Sequence, residues 1–289
     1  MGDNDPMHDE LLSAALAAAE AGAAVLTRSF RTGDLEIRRK GPNDFVTRAD
    51  HESEAAVLAV LRSRFPEHRI LAEEGSGAEA GVGSDYEWLI DPLDGTTNFL
   101  QGLPVYCVSV ACRRRGELLA GVVHDPEGRN VFAASRGGGT FWNGRRCRIG
   151  REEGLPGAFL ATGYPFRALP TLDLYLDIFR EVFRQARAIR RCGAAALDLA
   201  YTAAGVYDGF FEFRLSPWDL AAGVLLVEEA GGAVSDLDGG GSYLVSGNIL
   251  AGAPAVHREL LAVAGRHASE ALIERLQPTT AAVGQPAGR

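Results

Sequence analysis

Trp88-Leu89-Ile90-Asp91-Pro92-Leu93-Asp94-Gly95-Thr96-Thr97-Asn98-Phe99 carries an apolar strand straight into two carboxylates and then into a Gly-Thr-Thr turn. Asp-Pro and Asp-Gly are also ordinary turn chemistry, so one reading is a strand that ends in an Asx turn. The whole stretch says more. Pro92 stiffens the link between Asp91 and Asp94, so that both aim oxygens into one space, where the carbonyl of Leu93 joins them. Hard cations take such oxygen ligands. Gly95 then lets the backbone turn with its N–H groups exposed, and Thr96 and Thr97 open a helix. That places an anion cradle beside the cation ligands.

Further acidic groups stand upstream and downstream. Glu73-Glu74 follows the strand-like Ile70-Leu71-Ala72 and precedes a glycine-rich loop. Adjacent glutamates on a loop are ordinarily solvated, and their place at a strand end is what raises a ligand role. Asp219 lies in Ser216-Pro217-Trp218-Asp219-Leu220-Ala221-Ala222-Gly223, a helix start in which Ser216 and Asp219 form a capping box. A carboxylate there either caps the helix or ligates a metal at the mouth of a site. Asp50 precedes a second helix, with Val57, Leu58, Leu61 and Phe65 inward and Pro66 as its stop.

The rest of the chain frames these motifs. Leu12, Leu16, Ala19, Ala23, Leu26 and Phe30 make one stripe of a first helix. Short apolar runs at 69–72, 88–91, 105–112, 118–124 and 130–135 read as strands, and Asn143-Gly144 as a hairpin turn. From about Gly150 helices and strands alternate: helices at 172–187, 194–204 and from Pro217, strands at 209–213, 232–236, 243–246 and 249–252, and a last helix from Pro254. The expectation is a strand-rich half over 9–149 and an α/β half over 150–270 that share an interface, with unstructured tails at 1–8 and 276–289. Cys107 and Cys112, five residues apart on one strand, face opposite sides and are poor disulfide partners. No stretch holds the roughly 18–20 uninterrupted apolar residues of a membrane span, and the acidic start is unlike a secretory leader, which predicts a cytoplasmic protein.

Lys and Arg total 29 against 38 Asp and Glu, a formal charge of −9, which argues against nucleic acid or anionic lipid as a partner. A phosphate ester would also be repelled unless bound cations invert the local field.

Asp91-Pro92-Leu93-Asp94-Gly95-Thr96-Thr97-Asn98-Phe99 and Trp218-Asp219-Leu220-Ala221-Ala222-Gly223 resemble the two signatures of the inositol monophosphatase family. The resemblance continues in Asp44-Phe45-Val46-Thr47-Arg48-Ala49-Asp50, Ala72-Glu73-Glu74-Gly75-Ser76, Gly193-Ala194-Ala195-Ala196-Leu197 and Asp208-Gly209-Phe210-Phe211-Glu212, and so covers roughly residues 10 to 270. It implies a fold between α+β and α/β, the layered αβαβα sandwich of the inositol monophosphatase and fructose-1,6-bisphosphatase type. A homodimer with its site between the two halves is implied too.

By the same resemblance two to three Mg²⁺ ions serve each site. Glu73, Asp91 and the Leu93 carbonyl hold one, Asp91, Asp94 and Asp219 a second, and Glu73 helps with a third. Asp50, Glu73 and Thr96 become the catalytic set that orients the attacking water. Leu93, Asp94, Gly95, Thr96, Gly193, Ala194, Ala195, Glu212 and Asp219 line the substrate, with Glu212 accepting a hydroxyl and Lys40 on a loop nearby. Ala194 and Ala72 depart from the Ser or Thr and the Gly that are frequent in the family, and the first departure bears on specificity.

The implied reaction is hydrolysis of a small phosphate monoester, myo-inositol monophosphate first, with lithium inhibition as a family trait. Histidinol phosphate, fructose 1,6-bisphosphate and 3′-phosphoadenosine nucleotides are the alternative substrates. A regulatory binding protein of the transcription machinery is the alternative of another class, and a calcium-binding structural module is disfavoured because the ligands are dispersed.

Overall fold

Apolar residues run almost without interruption along the central strands of both sheets, which gives each sheet two buried faces and requires helices on both sides. The computed structural model describes residues 6–32, 37–41, 44–75, 81, 83–150, 152–166 and 168–268, and of 38–41 and 44 the backbone alone. The helices are α1 (Pro6–Ser29), α2 (Arg48–Arg64), α3 (Thr96–Leu100), α4 (Leu172–Phe183), α5 (Ala195–Ala203), α6 (Pro217–Glu229), α7 (Tyr243–Ser246) and α8 (Pro254–His267). The strands are β1 (Arg38–Gly41), β2 (Asp44–Val46), β3 (Arg69–Ala72), β4 (Tyr86–Asp94), β5 (Cys107–Arg114), β6 (Glu117–Asp125), β7 (Asn130–Ser135), β8 (Gly139–Trp142), β9 (Arg145–Cys147), β10 (Phe159–Thr162), β11 (Ala188–Arg190), β12 (Gly209–Glu212), β13 (Ala233–Ser235) and β14 (Ile249–Gly252).

Strands β3 to β9 form a seven-stranded sheet in sequence order, antiparallel except for the β3–β4 pair, and β11-β10-β12-β14-β13 form a second sheet. Trp88, Ile90, Val108 and Val110 pack under α1 and α2, while Leu89, Cys107 and Ala111 face α5 and α6 on the other side. In the second sheet Phe210 meets α5 and α6, and its neighbour Phe211 meets α4 and α8. The order of layers is therefore helices, sheet, helices, sheet, helices, the expected αβαβα sandwich. Cys107 and Cys112 fall in different cores, and all four cysteines are free thiols.

Several expectations need correction. Residues 6–8 belong to the first turn of α1 instead of a frayed tail. The buried face of α1 carries Leu11, Ala14, Ala15, Ala18, Ala19 and Gly22, leaving Leu16 36% exposed. Small residues bring α1 close to α2: a Cβ on Gly22 would lie 2.9 Å from both Ser53 Oγ and a Val57 methyl. By length and composition α1 would span a bilayer, but half of its apolar window is buried inside the protein. Tyr243–Ser246 is a helical turn, not a strand, closed by Gly247 in the left-handed region at φ 76°. The helix read at 172–187 stops at Phe183, and Ala188–Arg190 beyond it is an edge strand. The expectations for residues 1–5, Ser76, 276–289 and the side chain of Lys40 lie outside the described residues.

A buried histidine ties β3 to β4. The His68 ring stacks between Phe65 and Tyr86, both at 4.6 Å centroid separation, and its Nδ1 accepts the indole N–H of Trp88 at 3.1 Å. Burial lowers its pKa, with Glu67 and Glu10 opposing. Because the folded form resists a proton that the unfolded chain takes up near pH 6.5, stability is full above that pH. It is then lost as pH falls from there to the lowered value. In melts followed by tryptophan fluorescence, His68→Leu is expected to flatten that part of the acid-side slope relative to the wild type.

Candidate active site

Residues three apart on a regular strand point to opposite faces, so Asp91 and Asp94 can share a side only if β4 is irregular. It is. Asp91 pairs with Ser109 and Asp94 with Cys107, so β4 holds one residue more than β5 across that interval, a bulge that contains Pro92. The Leu93 N–H donates to Asp91 Oδ1 at 2.9 Å, and Ser53 Oγ donates to the Pro92 carbonyl at 2.9 Å. Both aspartates consequently line one cavity of about 370 Å³.

Glu73, at the end of β3, and Asp219, in the first turn of α6, line the same cavity. Asp219 does complete the capping box, accepting the Ser216 N–H at 2.8 Å, and that contact fixes its aim into the site. The two readings of this residue are compatible. Asp94 Oδ2 accepts the Ala196 N–H at 2.7 Å, an otherwise orphaned donor in the first turn of α5. Helix starts from the middle layer thus hold carboxylates of both halves in place.

Burial, with the charges of Glu73, Asp94 and Asp219, raises the Asp91 pKa well above the ordinary value, and Asp91 and Asp219 come within carboxyl–carboxyl hydrogen-bond reach. Burial and Asp219 lift Asp94 to about 7, against the N–H donors of Ala196 and Ala195. Among the described residues no three His, Cys, Asp or Glu side chains close into a metal cage. The four carboxylates ring an open pocket instead, and mutual repulsion of hard oxygen donors is the chemistry that a divalent cation relieves. The donor set fits Mg²⁺.

Gly95 opens α3 at φ +92°, and a Cβ there would sit 2.9 Å from the Val105 carbonyl, so the turn demands glycine. Thr96 Oγ1 donates to the Leu93 carbonyl at 3.1 Å and to Asp50 Oδ1 at 3.4 Å. Thr47, not Asp50, caps α2. Asp50 is its third residue and receives both the N–H and the hydroxyl of Thr47 on Oδ2, at 2.8 and 2.6 Å. Asp50 is buried and reaches the pocket through Thr96.

Gly193, Ala195 and Glu212 line the same cavity. Glu212 is buried against Gly163, where a Cβ would fall 2.0 Å from its carboxylate, and burial raises its pKa, with Asp198 adding to the rise and Arg191 opposing it. Ala194 does not line the cavity: its methyl is buried in the core between the sheets, while its backbone caps α5. Phe45, Tyr164, Phe166, Arg191 and Leu215 complete the lining. Sequence reading missed these. Only Arg191 carried a signal, being two residues before the Gly193 segment.

The family model for the inositol monophosphatase family matches residues 7–270. The chain belongs to the inositol monophosphatase family. Within it, the chain is 47% identical over 261 residues to Nus factor SuhB of Pseudomonas aeruginosa, covering 89% of this chain and 96% of that one. A crystal structure of the extragenic suppressor protein suhB from Bartonella henselae has a TM-score of 0.85 at 38% identity, covering 90% of this chain and 100% of that one. The inositol monophosphatase from Anabaena (Nostoc) sp. PCC 7120 has a TM-score of 0.80 at 35% identity, covering 91% and 98%.

Proposed function

We propose that this member of the inositol monophosphatase family is a Mg²⁺-dependent phosphomonoesterase, with myo-inositol monophosphate as its first substrate. The observation that carries this reading is the bulge in β4, which turns Asp91 and Asp94 onto the cavity where Glu73, Asp219 and the Gly95–Thr96 turn converge. Glu73, Asp91 and the Leu93 carbonyl would hold one ion, Asp91, Asp94 and Asp219 a second, and Glu73 would help with a third. When bound, the ions offset charge on the phosphoryl group and acidify water.

The chain's own residues do the rest. The backbone N–H groups at Gly95 and Thr96 receive the phosphate oxygens. Thr96 sends its proton toward Asp50 and Leu93, which leaves its lone pairs to accept a hydrogen bond from the attacking water. Asp50, fixed by Thr47, keeps that hydroxyl aimed, and Glu73, which lines the same cavity, takes the proton. Glu212 accepts a hydroxyl of the alcohol, and Gly193 and Ala195 shape the wall around it. Halves 9–149 and 150–270 act as one unit in the cytoplasm, since neither alone supplies all four carboxylates.

Phosphate release from inositol 1-phosphate, fructose 1,6-bisphosphate, histidinol phosphate and 3′-phosphoadenosine 5′-phosphate, with Mg²⁺ and with EDTA, tests the reading. EDTA-sensitive preference for the inositol ester is expected. Preference for another ester keeps the metal site and moves the substrate, and no release from any sinks the phosphatase. The relatives named Nus factor SuhB favour a second reading, a binding role in the transcription machinery alongside catalysis.

The outer face of α4, with the 3-10 turn Leu169–Thr171 before it, supports a homodimer. Leu169, Leu176 and Phe183 are 68%, 40% and 62% exposed, an apolar row that water would leave uncovered at a cost. In light scattering the wild type is expected at twice the chain mass and Phe183→Glu at the single mass. A monomeric wild type at micromolar concentration would remove the dimer from the proposal.

A further inference from the structure

Arg191 is the one basic side chain among the described residues lining a cavity that holds five carboxylates, Glu73, Asp91, Asp94, Glu212 and Asp219. Surrounded by acids, a guanidinium would be expected to pair with one of them. Among the described residues it makes no hydrogen bond or ion pair. Its guanidinium carbon instead lies 5.2 Å from the centroid of the Tyr164 ring, which also lines the cavity.

Two glycines set this arrangement. Gly193, at φ +88°, leaves the space that Arg191 occupies, since a Cβ there would be 2.4 Å from Nη1. Gly163 leaves the space that takes the Glu212 carboxylate. Each of the two glycines thereby makes room for one charged group of the same cavity. Five donors in a fixed planar fork are left facing solvent, pre-oriented by an aromatic face.

The surroundings favour an anion as occupant. Arg187, just before the edge strand β11, and Arg190, at its end, lie 5.9 and 4.8 Å over the Phe159 ring and add positive charge to the segment that carries Arg191. The phosphate cradle at Gly95 and Thr96 lines the same cavity. We infer that Arg191, held by Tyr164, forms a second anion subsite, so that the cavity prefers phosphate esters bearing a second anionic group to esters with hydroxyls alone. This rests on the phosphatase reading and deepens it: phosphate at Gly95–Thr96, a hydroxyl at Glu212, and a second phosphate or carboxylate on Arg191.

The test compares inositol 1-phosphate with inositol 1,3- and 1,4-bisphosphate, and glycerol 3-phosphate with 3-phosphoglycerate, on the wild type, Arg191→Lys and Arg191→Met in Mg²⁺. The quantity read is the ratio of kcat/KM for the doubly anionic ester to that for its partner. A general loss of fold lowers both rates and leaves this ratio alone. A ratio above one in the wild type is expected for at least one pair. It should fall at least about tenfold in Arg191→Met, as for a lost charge-assisted pair, and less in Arg191→Lys. The bisphosphate and carboxylate arms tell the two anions apart.

A wild-type ratio at or below one in every pair, or a ratio unmoved by Arg191→Met, overturns the subsite while leaving the phosphatase reading intact. Should the wild type hydrolyse none of these esters, the panel with histidinol phosphate and 3′-phosphoadenosine 5′-phosphate decides the phosphatase reading, and calorimetric binding of the same pairs decides the subsite. Tighter binding of the doubly anionic ester, abolished by Arg191→Met, then supports it, and equal binding overturns it.

Discussion

Asp94→Asn is expected to lower phosphate release by about 10²–10³-fold or more while making the cation-free protein more stable, two effects of opposite sign. The carboxylate is aimed by the Ala196 N–H and stands beside Asp219. An amide oxygen can still accept that N–H, so the wall formed by the start of α5 stays in place. What disappears is a negative charge that burial and Asp219 disfavour. A pKa lifted from 3.8 to about 7 means that ionised Asp94 opposes folding at neutral pH. Removing it should contribute on the order of 1–3 kcal/mol in EDTA. Turnover assays with and without Mg²⁺, beside melts in EDTA, check both signs. Undiminished turnover would remove Asp94 from the metal site, whereas a less stable apo variant would mean that its main work is holding α5. The same variant separates the two functional readings, since a cellular phenotype that survives it belongs to the binding role.

Adding Mg²⁺ is expected to raise the melting temperature, and to raise it more at pH 8 than at pH 5.5. The raised pKa values of Asp91 and Asp94 give the sign. Their contribution to stability is present below the unfolded value of 3.8, where both states are protonated alike, and is lost as pH rises through the raised folded values, which for Asp94 is about 7. A divalent ion replaces the missing protons, so its effect grows across the window in which they leave. At free ion 100 times its Kd the gain is about 2.7 kcal/mol, which for a domain of this size is roughly 5–10 °C. Calorimetry in two buffers of different ionisation enthalpy should record proton release on binding at pH 7. A shift independent of pH would mean that the ion binds elsewhere.

The sequence disclosed the motifs better than the walls around them. Asp91, Asp94, Gly95 and Thr96 were legible because a strand running into acid, proline and glycine has few uses, and all four line the cavity. The bulge itself was not visible, since a register shift is a property of two strands and β5 carries no mark of it. Asp50 looked like a cap because Thr47, the true cap, and Asp50 are both good capping residues, and only the paired bonds of the capping box separate them. Leu16 looked buried because its spacing suits a helical stripe, but α1 is held by alanines that let two helices approach closely. Strands β10 and β11 went unread: three or four residues between loops give no period to detect. Tyr164 and Phe166 follow β10 in a loop, where no pattern announces a residue that faces a site.

The middle layer, α5 and α6, has a sheet on either side, and its helix starts carry Ala196 and Asp219. Loops commonly bear catalytic groups because they can move without disturbing what lies beneath. Here no such separation exists. For Asp94 to lose its Ala196 contact or Asp219 its position, a helix sealed between two sheets has to shift, so amide hydrogen exchange at Ala196 and Leu220 should be as slow as that of the whole molecule. On the proposed phosphatase reading, selection for catalysis and selection for a folded chain therefore act on the same atoms, and tolerance for change lies at the cavity rim.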